Sequence, residues 1–190
     1  MKRAACMAIA LLCYFAFFVS FVYFVGFLAG CPALPTHVDK GIAAPTGTAI
    51  VVDILLIALF GVQHSVMARS GFKAAITRII PAPLERSVYC LASALALGVM
   101  FALWHPLPQV IWQVADPTGQ TIIWILFALG VGTVFISTWL INHFELFGLA
   151  QAWAYWRGRE LTAARFRTPL FYRAVRHPIY LGFLIALWAA

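Results

Sequence analysis

A chain of 190 residues that is 64% hydrophobic and only 10% charged lies far from the roughly 25% charged residues of a soluble globular domain, which excludes an ordinary water-soluble fold. The formal net charge of +7 invites a nucleic-acid partner. The basic residues are segregated between apolar stretches, however, so no nucleic acid is needed to explain them. Cys6, Cys13, Cys31 and Cys90 lack C-x-x-C spacing, which argues against a zinc site or a disulfide framework.

A first span is predicted over about residues 4–29. Met1-Lys2-Arg3 before an apolar run also resembles a secretory signal, and Leu28-Ala29-Gly30-Cys31 a lipoprotein cleavage box. The run exceeds the ~7–15 residues of a signal h-region, so an uncleaved span is the better reading. Cys31-Pro32-Ala33-Leu34-Pro35 opens an outer loop that carries His37 and Lys40 and ends near Thr46-Gly47. The second span, about 48–67, is interrupted by a single charge, Asp53. An inner loop, Arg69–Arg86, contains Pro81-Ala82-Pro83 and is short enough to hold its two flanking spans antiparallel. The third span covers about 87–104. Trp104, His105-Pro106, Trp112 and an Asp116-Pro117-Thr118-Gly119 turn mark an outer interface, with tryptophans where an aromatic belt places them.

The fourth span covers about 121–141. The segment 142–177 mixes Trp153, Tyr155, Trp156, Phe166, Phe171 and Tyr172 with six arginines, which suits either a helix lying on the membrane surface or a folded cap. Residues 178–190 begin another apolar helix but are fewer than the ~20 needed to cross a bilayer. The expectation is therefore a truncated fifth helix. With the N-terminus inside, twelve of the thirteen basic residues fall in cytoplasmic segments and only Lys40 lies outside, the positive-inside pattern. The predicted fold is all-α: a polytopic transmembrane helix bundle of four complete spans plus the incomplete helix, in a single transmembrane domain with a cytoplasmic N-terminus.

Ionisable and amide side chains at the inner ends of the spans are the candidates for chemistry, because such groups are expensive in lipid. Gln63 and His64 close the second span, Asn142, His143 and Glu145 close the fourth, and Arg176-His177-Pro178 opens the last helix. All lie on the cytoplasmic side by the charge argument. The residue before a proline is pushed out of helical geometry and proline is favoured at the first helical position, so a helix starts at Pro178. Its free amides favour an anion such as a carboxylate, which Arg176 can pair bidentately. Tyr180 lies in the first turn, and Gly182 permits close approach of a ligand or of a neighbouring helix. An arginine snorkelling beside a capping proline explains the same residues equally well. Asp53 and His64, eleven residues apart, fall nearly on one helical face about 16 Å apart along the axis. They either line one cavity or bond neighbouring helices separately, and for Asp53 the second reading is preferred. His37 and His105, in outer loops, are assigned no chemistry.

Arg176-His177-Pro178-Ile179-Tyr180-Leu181-Gly182 resembles the R-H-P-x-Y-x-G motif of the integral membrane methyltransferases that include the isoprenylcysteine carboxyl and phospholipid methyltransferases. Phe60-Gly61-Val62-Gln63-His64-Ser65-Val66-Met67-Ala68-Arg69, Pro83-Leu84-Glu85-Arg86-Ser87-Val88-Tyr89 and Leu140-Ile141-Asn142-His143-Phe144-Glu145-Leu146-Phe147-Gly148-Leu149 are similar to the bacterial methanethiol S-methyltransferases. The resemblance runs from about Thr48 to the end of the chain. It implies methyl transfer from S-adenosylmethionine to methanethiol, giving dimethyl sulfide, with no metal. Together with the charge argument, which turns the site to the cytoplasm, the expectation is an integral protein of the bacterial inner membrane with a small thiol and membrane lipid as partners. His177 and Tyr180 would contact the cofactor, with Arg176, Pro178 and Gly182 shaping its pocket. A thiol is mostly protonated at neutral pH. His64 or His143 is expected to take the proton and Glu145 to orient or stabilise, unless the sulfonium alone favours the thiolate. The family continues beyond the position of Ala190 with another helix and an acidic Glu-Glu stretch, so weak or absent cofactor binding is expected of these residues alone. The competing readings are a methyltransferase of the same superfamily acting on a prenylcysteine carboxylate or a lipid, and a non-catalytic NnrU-like membrane protein centred on Asp53.

Overall fold

The computed structural model describes residues 3–107, 109–110, 113–159 and 170–190. Of the residues invoked above, Met1, Lys2, Trp112, Phe166 and two of the six arginines, Arg165 and Arg167, lie outside the described residues. Uninterrupted apolar sequence of twenty residues or more can satisfy its backbone in lipid only as helix. Among the described residues, four helices are long and apolar enough to cross a membrane. In chain order the elements are α1 (Arg3–Leu28), α2 (Thr46–Met67), the short α3 (Ser70–Ile76), a 3-10 turn (Ala82–Leu84) leading into α4 (Glu85–Ala102), α5 (Pro117–Ile141), α6 (His143–Leu146), α7 (Leu149–Trp156), α8 (Phe171–Ala174) and α9 (Pro178–Trp188). At 1.5 Å per residue, the 26 residues of α1 and 25 of α5 extend about 37–39 Å, enough for a ~30 Å hydrocarbon core.

The predicted spans are recovered with shifted ends. The fourth begins at Pro117 rather than near 121, because Asp116 is not part of a free turn. Its Oδ2 accepts the Gly119 amide at 2.7 Å, and the proline occupies the first turn, where no amide is required. Segment 142–177 is not one surface helix either. Its described part contains α6, α7 and α8.

The chain forms two compact units. The first, Met1–Leu107 with Phe147–Thr162, packs α4 against α1 and α2, and α7 against α1. One cluster joins Cys6 and Ala10 of α1, Leu84, and Leu149 and Ala152 of α7, so α7 caps one end of α1 as a folded element. The Arg3 guanidinium lies over the Tyr155 ring at 5.7 Å. The other cluster joins Phe27, Leu56, Met100 and Phe101, with Tyr23 and Phe101 stacked at 4.6 Å. The loop between α1 and α2 is tied to the end of α4. The Thr36 hydroxyl donates to the Phe101 carbonyl at 2.8 Å, the Trp104 indole to Val38 O at 3.0 Å, and the Ile42 amide to Trp104 O at 2.9 Å.

The second unit, Pro108–Leu146 with Ala163–Ala190, is dominated by α5 against α9. Their crossing is made by small residues. A Cβ on Gly182 would stand 2.7 Å from Gly130 O and 2.8 Å from the Val134 amide nitrogen, and one on Gly130 would stand 2.6 Å from the Ala186 nitrogen. Backbones meet directly here, as small residues allow in membrane helices.

Candidate functional site

The α9 motif is arranged by its proline. Pro178 is fully buried and occupies the first turn, while the preceding His177 is non-helical (φ −133°, ψ 70°) and, among the described residues, no side chain caps the helix start. Arg176, His177 and Tyr180 are all exposed. The His177 and Tyr180 rings stack at 5.3 Å, 27° apart, as residues three apart on a helix start can. Gly182 points the other way, into the α5 crossing. This end therefore offers uncapped amides, a guanidinium and an aromatic pair, a donor set that fits a ligand with both a carboxylate and a cationic sulfonium.

The end of α5 carries the second group. Asn142 is left-handed (φ 105°) and terminates the helix. Its side-chain amide donates to Glu145 Oε2 at 2.9 Å and its Oδ1 accepts the Glu145 amide. The break turns His143 back onto the helix it has just left. His143 is 5% exposed, lies flat on Trp139 (4.5 Å, 9°) and meets Phe144 edge-on (5.6 Å). Its Nδ1 is 2.8 Å from Thr138 Oγ1. Burial holds its imidazole below the ordinary value, because the charged form loses hydration. Thr138 and Trp139 were not singled out from sequence. Five residues apart in a straight helix point about 140° from one another, and only the Asn142 break lets residues 138 and 143 meet.

His64, on α2, belongs to the first unit, whereas His143, Glu145 and the α9 motif belong to the second. His64 Nδ1 lies 3.3 Å from Ser93 Oγ of α4, between the rings of Phe60 and Tyr89. Gln63 donates to Met67 Sδ at 3.1 Å. Asp53 is buried, and its Oδ1 accepts the His105 amide at 3.0 Å. That bond ties α2 to the loop after α4, in line with the bonding role preferred for this carboxylate. An open groove at the α2–α3 corner is lined by Val66, Arg69, Ser70, Gly71 and Phe72 and contains none of these site residues.

The fold and these helix-end groups define an integral membrane protein of all-α class, with its polar chemistry placed at the ends of apolar helices. The chain is 48% identical over 189 residues to the methanethiol S-methyltransferase of Mycobacterium tuberculosis, covering 100% of this chain and 77% of that protein. It is 49% identical to methanethiol S-methyltransferase 1 of Bradyrhizobium diazoefficiens, over 93% of this chain and 62% of that one. Nurim of Xenopus laevis is 33% identical over 73% of this chain and 51% of its own length. No family model and no solved structure matches. The chain belongs to the methanethiol S-methyltransferase family.

Proposed function

We propose that the protein transfers a methyl group from S-adenosylmethionine to the sulfur of methanethiol, releasing dimethyl sulfide and S-adenosylhomocysteine. The observation that carries this reading is the 48% identity, sustained along the entire chain, to a protein of that name. When bound, S-adenosylmethionine supplies an electrophilic methyl on a sulfonium. Arg176 and the first-turn amides of α9 hold its carboxylate, and the His177–Tyr180 pair offers π-faces to its positive charge. Pro178 sets the start of α9, and Gly182 lets α9 press against α5 so that this start is held in place. His143 takes the thiol proton, since a buried neutral imidazole is a base at neutral pH. Glu145, held by Asn142, supports that end of α5. The site faces the cytoplasm of a bacterial inner membrane, with the N-terminus on the same side, because Arg69–Arg86 and Arg157–Arg176 are the most basic segments.

A non-catalytic role centred on Asp53 is the second reading; one oxygen of that carboxylate already accepts the His105 amide. The test is headspace gas chromatography of cells fed methanethiol. The cells express either this chain or a chimera that completes it to the length of the Mycobacterium tuberculosis relative. Dimethyl sulfide above the empty-vector level, lost in His177→Ala, is expected. None from either form, with both in the membrane and the relative active alongside, would overturn the proposal.

A further inference from the structure

The hydrogen bonds around His143 have a direction that follows from the chemistry of their members. Thr138 Oγ1 lies 2.7 Å from the Phe135 carbonyl oxygen and 2.8 Å from His143 Nδ1. A hydroxyl has one proton and a carbonyl only accepts, so that proton goes to Phe135 O. Oγ1 is left with lone pairs, and its contact with Nδ1 is a hydrogen bond only if Nδ1 carries the proton. In the reverse arrangement Oγ1 and Phe135 O would face each other at 2.7 Å with no proton between them. Thr138 is 7% exposed and His143 5% exposed, so water cannot readily relieve that repulsion. This geometry favours the Nδ1–H tautomer of neutral His143, which leaves the lone pair on Nε2. Trp139, parallel to the ring at 4.5 Å, fixes the plane in which that lone pair lies.

We propose that Thr138 is a positioning residue for methyl transfer, which selects the His143 tautomer whose Nε2 accepts the methanethiol proton. The inference rests on the methyltransferase reading and on His143 as the base. In the step, the S–H bond breaks and its proton passes to Nε2, giving an imidazolium whose Nδ1–H still donates to Thr138. The thiol sulfur keeps the electron pair and forms the new S–CH3 bond, while the electrons of the methyl group's former C–S bond stay on the donor sulfur. No further reactant is needed. A hydroxyl that already spends its proton on Phe135 serves both protonation states of the ring, because it accepts from Nδ1–H before and after transfer.

The experiment pairs nitrogen NMR of the 15N-histidine-labelled protein in micelles with turnover in the format that gives dimethyl sulfide. His143→Gln assigns the signal. Wild-type His143 is expected to show protonated Nδ1 and unprotonated Nε2, Thr138→Val to shift toward Nε2–H, and Thr138→Ser to restore the wild-type pattern. Turnover is expected to fall at least about tenfold in Thr138→Val and to recover in Thr138→Ser, since a correctly poised base is worth ~10²–10⁴-fold. A wild-type Nε2–H tautomer, or equal turnover in the valine and serine variants with both folded, overturns the proposal. The tautomer is read with neither thiol nor methyl donor present. Nδ1–H with no dimethyl sulfide from either the chain or the chimera, both in the membrane, therefore overturns the methyltransferase reading and the base role with it. Nε2–H with dimethyl sulfide formed overturns this proposal alone.

Discussion

Taking His143 out of water lowers its proton affinity, and the same burial makes folding sensitive to acid. The unfolded chain holds this imidazole near its usual value of about 6.5, and the folded chain holds it lower. As pH falls through that value the unfolded state takes up the proton first, so stability is full above it and declines below, until the folded-state value is passed. The melting temperature in detergent is expected to be flat from about pH 8 to 7 and to fall below about pH 6.5. His143→Gln should flatten that fall, and equal slopes in both proteins would show that another group is responsible. At the α9 start, Arg176→Ala is expected to weaken S-adenosylmethionine binding about tenfold or more, the worth of a charge-assisted hydrogen bond. Calorimetry on the form that turns over checks this, and undiminished affinity would favour the snorkelling reading of Arg176.

Helix pairs in lipid gain little from apolar burial, since lipid tails are as apolar as leucine, so close backbone approach carries more of their stability. The α5–α9 crossing depends on this. A side chain on Gly182 would meet the Gly130 carbonyl and the Val134 backbone, neither of which can rotate away. Gly182→Val is expected to cost about 1–3 kcal/mol, the usual range for overpacking, read as lowered thermal stability in detergent. Gly132→Val serves as control, because a Cβ there meets nothing within 4 Å. The start of α5 is set by a cap rather than by packing. Asp116→Ala removes the bond to the Gly119 amide and should cost about 1 kcal/mol, with Asp116→Asn largely restoring it. A valine variant of Gly182 as stable as the Gly132 control would mean the two helices sit further apart.

For the whole chain, the charge distribution makes one prediction that the helix packing does not. On a cysteine-free background, Lys40→Cys is expected to react with a membrane-impermeant maleimide in intact cells, and Arg78→Cys only after permeabilisation. Both positions are exposed, and the opposite pattern would invert the proposed topology. The four spans were legible because lipid burial is a property of composition over some twenty residues, and their count does not depend on which neighbour each one finds. The start of the last helix was legible too, since proline dictates its own backbone and that of the residue before it. The meeting of Thr138 and His143 was not, because in a straight helix they would face different ways. It exists only through the left-handed Asn142 that ends α5. Gly182 read equally as room for a ligand or for a helix, and packing against Gly130 decided for the helix. Sequence alone therefore determined which segments form helices long and apolar enough to cross a membrane, and their ends to within a few residues. Tertiary structure decided which side chains face one another, since that depends on breaks and close approaches that apolar periodicity does not encode.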